Sequence, residues 1–81
     1  MERASRTKAQ DIDMGQVNGS VKWFSQQKGY GFARLEDGRE VFIHATSLQD
    51  GRNDLNDGEP ISGRLFSGAR GLKLREVHVR S

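Results

Sequence analysis

Two short runs, Tyr30–Leu35 and Val41–His44, constrain this chain more than any other feature. Both place rings at alternate positions, Tyr30 and Phe32 in the first, Phe42 and His44 in the second. Successive side chains of a strand point to opposite faces, so each pair shares one face. Val41 and Ile43 take the other face of the second run, and they are good core residues. A half-buried strand hides its aliphatic side and wets the other. The rings are therefore expected on the outside, among Lys22, Lys28 and Arg34. Rings offer π-faces to bases and cations offer charge to phosphates, the combination a single-stranded nucleic acid requires.

The rest of the chain supplies matching strands. Gln16–Ser25 carries Val17, Val21, Trp23 and Phe24 and reads as the first strand, with Gly19 at a bulge or bend. Gln26–Gly29 is a polar turn, Tyr30–Leu35 the second strand, and Glu36-Asp37-Gly38 a hairpin turn whose Asp-Gly pair suits positive φ. Arg39–His44 follows as the third strand. Ala45–Glu59 is a polar loop with a short helical turn at Ala45–Leu48, and Leu48 and Leu55 anchor it to the core. Pro60–Phe66 is the fourth strand, and Leu72–Val79 the fifth. Leu72 and Leu74 fall in one register and Val77 and Val79 in the other, so a bulge near Arg75-Glu76 is needed to turn all four inward. Short strands joined by Gly/Asp turns predict an all-β fold, a small five-stranded antiparallel barrel.

Composition sets the outer bounds. At 81 residues, 33% of them apolar and 30% charged, the chain has room for one thin core. It has no cysteine, so no disulfide framework or thiolate metal cluster is expected, which suits a cytoplasmic location. No apolar run approaches the ~20 residues of a membrane helix, and no membrane partner is expected. The net charge of +2 says little by itself; the placement of the charges says more. Met1–Met14 is polar, with Arg3, Arg6 and Lys8 balancing Glu2, Asp11 and Asp13, and reads as a flexible tail before a domain at 15–81. No paired carboxylates, no nucleophile beside a His–acid pair and no metal-ligand spacing point to an enzyme or a cofactor.

Three blocks then carry a family resemblance: Gly19-Ser20-Val21-Lys22-Trp23-Phe24, Lys28-Gly29-Tyr30-Gly31-Phe32 and Val41-Phe42-Ile43-His44. In this order they resemble the signature of the bacterial cold-shock domain family, over Gly15 to about Val79. The resemblance implies an oligonucleotide-binding (OB-fold) barrel that binds single-stranded RNA and DNA and acts as an RNA chaperone or as a regulator of transcription or translation. It implies stacking by Trp23, Phe24, Tyr30, Phe32, Phe42 and His44, with Lys22 and Lys28 at the rim. The chain departs from the family at Ala45 and Arg52, where rings are common, and Arg52 is expected to compensate in part, since a guanidinium stacks on a base as well as contacting phosphate.

Alternatives stay open at this point. Strict alternation puts Trp23 inside with Val21, so Trp23 is either a core residue or turned outward by a bulge near Gly19 or Trp23. His78 is expected to be structural or solvent-facing, and Phe66 fits either face. A monomer is expected, with a strand-swapped dimer as the alternative. Competing functions are a ribosome-associated barrel and a protein-interaction barrel that grips a peptide with its exposed rings.

Overall fold

The computed structural model describes residues 11–80. Among these, five strands form the fold: β1 (Ile12–Ser25), β2 (Tyr30–Leu35), β3 (Glu40–His44), β4 (Pro60–Gly68) and β5 (Gly71–Val79). A single 3₁₀ turn, Ala45–Ser47, follows β3. The strands close into a barrel in the order β1-β2-β3-β5-β4, antiparallel at every seam except β3 against β5, which is parallel. Closure leaves the sheet without a free edge of the kind that templates aggregation.

The interior is aliphatic. Val21, Ala33, Leu35, Val41, Ile43, Leu48, Leu55, Ile61, Leu65, Leu74 and Val77 form the buried cluster, and no aromatic ring is among them. Leu48 and Leu55 anchor the long loop as the sequence predicts, and Leu48 pairs with Val77 as an isolated parallel bridge. Backbone bonds from Gly58 to the Val21 carbonyl (2.7 Å) and from Val21 to the Glu59 carbonyl (2.9 Å) tie the end of that loop to β1.

Two irregularities decide which side chains face out. Val21 pairs with Ala33 and Trp23 with Phe32, so Lys22 is an extra residue on β1, and the parity of the strand flips there. In β5 the pairing steps from Arg64↔Arg75 to Ser62↔His78, so Glu76 and Val77 oppose Gly63 alone. Glu76 takes φ 53°, and Leu74 and Val77 both reach the core, which is the bulge the sequence calls for. Leu72 and Val79 are half-buried against it. The β2–β3 turn closes with Gly38 at φ 93° and its amide bonded to the Leu35 carbonyl at 2.9 Å.

One boundary needs correction. Ile12–Met14, assigned by sequence to the tail, belong to β1. They pair with the far end of β4, Ile12 with Ser67 and Asp13 with Phe66, across a bulge between Asp13 and Gly15. That ladder, rather than any local hydrophobic pattern, orders them: Ile12 and Met14 are exposed. The first ten residues of the expected tail lie outside the described residues.

Candidate nucleic-acid interface

The closed register lines up rings on adjacent strands. Trp23 pairs with Phe32, Phe32 with Phe42, and Tyr30 with His44. The fully buried cluster is aliphatic, and these side chains lie on the outer surface of β1–β3. Ring centroids lie 5.5 Å apart for Trp23–Phe32, 5.9 Å for Trp23–Tyr30, 5.8 Å for Tyr30–Phe42, 5.7 Å for Phe32–Phe42 and 6.4 Å for Phe42–His44. Mutual packing at 4.5–7 Å holds each ring in place while one face stays wet. Trp23 retains 36% exposure, and Tyr30, Phe32 and Phe42 are half-buried.

Local structure explains the outward set. The Lys22 bulge rotates Trp23 out, resolving the question that strict alternation left open. Inside, Gly31 is buried and pairs with Phe24; a Cβ there would overlap the Trp23 carbonyl and lie 2.6 Å from the Phe24 Cα. Only glycine lets β1 cross so close to β2 at this point. His44 ends β3, and its Nδ1 accepts from the Thr46 amide at 3.2 Å and sits 2.9 Å from Thr46 Oγ1. Acceptance at Nδ1 assigns the proton of the neutral ring to Nε2, which has no partner among the described residues.

Two expected members of the site fall elsewhere. Phe24 lies on the inner side of the flipped register, half-buried against the core and outside the ring cluster. The same bulge that turns Trp23 out turns Phe24 in, so the two cannot share the outer face. Arg52 is folded into its own loop. Its guanidinium bonds Glu59 at 3.1 Å and the Asp54 carbonyl at 3.3 Å, while its Nε is buried without a partner. Committed to a half-buried carboxylate, it braces the loop instead of replacing the missing ring.

The cations at the rim differ in availability. Lys22 and Arg34 converge on Glu40, at 2.9 and 3.2 Å. Hydrogen bonds from Lys22 and then Arg34 hold the Glu40 carboxyl below its usual range. Lys28, in the β1–β2 turn, forms no ion pair with a described residue, and its backbone amide is fixed by Ser25 Oγ at 3.1 Å. His78 is exposed and faces Asp50 at 3.1 Å, away from the rings.

An open groove of about 670 Å³ runs off the ring cluster, between Phe32 and Phe42 on one side and Gly68–Lys73 of the β4–β5 hairpin on the other. Phe66, which sequence left unassigned, is half-buried on β4, outside the core cluster, with the Arg75 guanidinium 4.8 Å from its ring centroid. Nothing in its own neighbourhood of sequence marks that position, because its outer partners Lys73 and Asp13 come from β5 and the start of β1. Among the described residues no group of His, Cys, Asp or Glu is arranged to hold a metal ion, and no helix is long and apolar enough to cross a membrane.

Comparison with known proteins agrees with this geometry. A family model described as the "Cold-shock" DNA-binding domain matches residues 17–79. The chain is 44% identical over 61 residues to "Cold shock protein CspD" of Bacillus subtilis, covering 74% of this chain and 92% of that protein. It is 44% identical over 60 residues to "Cold shock protein CspB" of Geobacillus stearothermophilus, covering 73% and 91%. To "Major cold shock protein CspA" of Pseudomonas aeruginosa it is 41% identical over 63 residues, covering 76% and 91%.

Proposed function

The chain belongs to the cold-shock DNA-binding domain family, and on that footing we propose that it binds unpaired RNA and DNA by stacking bases on Trp23, Tyr30, Phe32, Phe42 and His44. It is a nucleic-acid-binding protein of the cold-shock type. The observation that carries the stacking mechanism is the contiguous cluster of rings outside an all-aliphatic core. A globular domain this small gains by burying rings, and leaving so many half-wet costs stability unless a ligand covers them. Flat π-faces accept any base, so the binding is tolerant of sequence; duplexes hide their bases and are excluded. Lys28 contacts phosphate directly, while Lys22 and Arg34 do so by sharing their charge between phosphate and Glu40. His44 adds an edge-on donor, Nε2–H, at the end of the cluster.

In this reading the protein is an RNA chaperone and, through the same contact, a regulator of transcription or translation, acting in the cytoplasm as a monomer. Holding the unpaired form shifts a hairpin equilibrium by mass action, with no nucleotide hydrolysis. An RNA hairpin with a fluorophore and a quencher at its ends tests this. Added protein should open it in proportion to occupancy, without ATP, and Phe42→Ala should not. A hairpin that stays closed at protein concentrations saturating its unpaired counterpart would refute the chaperone role and leave simple binding.

A further inference from the structure

The outer row of side chains does not stop at β3. Following the pairing around the barrel, Trp23 meets Phe32, Phe32 meets Phe42, Phe42 meets Lys73, Lys73 meets Phe66 and Phe66 meets Asp13. Beyond the rings, therefore, lies a second patch of one ring and three cations: Phe66, Arg64, Lys73 and Arg75. It repeats the chemistry of the first patch and adjoins it through the groove between Phe42 and Lys73.

In the free protein the cations of this patch are paired with the chain's own acids while staying partly exposed. Asp11 Oδ2 bridges Lys73 Nζ at 2.8 Å and Arg75 Nη2 at 2.9 Å, and Asp13 takes Arg64 at 3.2 Å. The Asp11 carboxylate is only 24% exposed and is seated over Gly68, where a Cβ would come within 2.5 Å of Oδ1. A hydrogen bond from Lys73, with the Lys73 and Arg75 charges behind it, keeps this carboxyl below its usual range. Asp11 immediately precedes β1 and Asp13 lies at its start, and both stand outside the family match at 17–79. An anionic oxygen bridging two cations beside a stacking ring occupies the position that a phosphate of a strand leaving Phe42 would take.

We infer that Arg64, Phe66, Lys73 and Arg75 form a second nucleic-acid-backbone subsite that prolongs the stacking face onto β4 and β5, and that Asp11 occupies it as an internal competitor of phosphate. The inference rests on the stacking reading above and specifies how far the ligand extends. Short strands, held by the rings alone, do not reach Lys73. Longer strands reach it and must expel Asp11 first, so each added nucleotide there contributes less than the bare charges would give.

The test is equilibrium binding of the full chain to oligothymidylates of about four and about ten nucleotides, both within the range of sites single barrels use, at several salt concentrations. Asp11→Asn should tighten the longer ligand about threefold to tenfold near ~0.1 M salt, and steepen its log–log salt slope by about 0.7 to 1.4, one to two phosphates. The shorter ligand should change less than about twofold. Gly68→Ala, which displaces the carboxylate without altering charge, should act in the same direction. Lys73→Gln placed on Asp11→Asn should cancel the gain. Equal gains for both lengths would reduce Asp11 to a general repulsive charge and overturn the inference, as would no gain for the longer one. Either result would leave the loss expected for Phe42→Ala with the short ligand intact. If that loss is also missing, the stacking reading fails with it.

Discussion

Phe24 and Phe42 are both phenylalanines in family motifs, yet the Lys22 bulge gives them opposite faces, and substitution should separate their roles. Phe42 touches the rings of Tyr30, Phe32 and His44 and is absent from the buried cluster. Truncation to alanine removes one stacking platform, about 1–3 kcal/mol of binding. That is roughly a 5- to 150-fold weaker Kd. Its half-buried ring limits the stability loss to about 2 kcal/mol, below the ~3–5 kcal/mol typical of a sealed phenylalanine. Phe24 packs inward over Gly31 and has no ring partner. Phe24→Ala should cost about 2–4 kcal/mol of stability. Phe24→Leu, which keeps most of the volume, should cost under about 1.5 kcal/mol. Neither should change affinity per folded molecule by more than about twofold, well short of a lost stack. Urea unfolding followed by Trp23 fluorescence gives the stabilities. Anisotropy of a labelled oligothymidylate, corrected for the folded fraction, gives the affinities. A Phe24→Leu protein that is folded and has lost as much affinity as Phe42→Ala would refute the assignment of faces.

Other outcomes follow from the same contacts. Lys28→Gln should lower the salt slope for a single strand by about 0.7, whereas Arg52→Gln, whose guanidinium is already held by Glu59, should leave it unchanged; titrations at several salt concentrations decide. Gly31→Ala should destabilise by about 1–3 kcal/mol or more, because its methyl group meets backbone that cannot retreat; the denaturation midpoint reports it. Hydrogen bonds from Lys73 to Asp11, from the Gly15 amide to Asp13, from the Arg39 amide to Asp37 and from Lys22 to Glu40 hold all four folded-state carboxyls below the ordinary carboxylate range. The unfolded chain therefore binds more protons in acid, so the stability these four carboxylates contribute is fully present above the ordinary carboxylate range and is lost as pH falls through that range and then through their lower folded values. Urea midpoints at pH 7, 5 and 3 measure the decline, which Glu40→Gln should make shallower.

Much of this was legible in the residues, where a strict period of two operates. Tyr30, Phe32, Phe42 and His44 on one side and Val41 and Ile43 on the other follow from alternation alone, because β2 and β3 contain no irregularity. The β5 bulge was legible too, since Leu72, Leu74, Val77 and Val79 cannot otherwise all approach the core. In β1 the pattern could not say which residue is the extra one. With Lys22 looped out, Trp23 and Phe24 exchange the faces alternation gives them, and only one reaches the surface. Ile12–Met14 were missed because their order comes from β4, more than 50 residues away, and not from their own polarity. The setting of Arg52 was hidden for a similar reason: a loop's sequence does not reveal that it folds back to bring Glu59 to the guanidinium. Phe66 could be placed only once closure set β5 and the start of β1 on either side of β4.

The wet ring cluster is proposed to receive unpaired bases, and Trp23, the chain's only tryptophan, reports on it from within. Its fluorescence should be followed while one oligonucleotide is titrated twice, first alone and then annealed to its complement. Strong, saturable quenching by the single strand, abolished in the duplex and retained in part at high salt, is the predicted result. Equal quenching by both forms, or binding seen by another probe with no change at Trp23, would contradict the account.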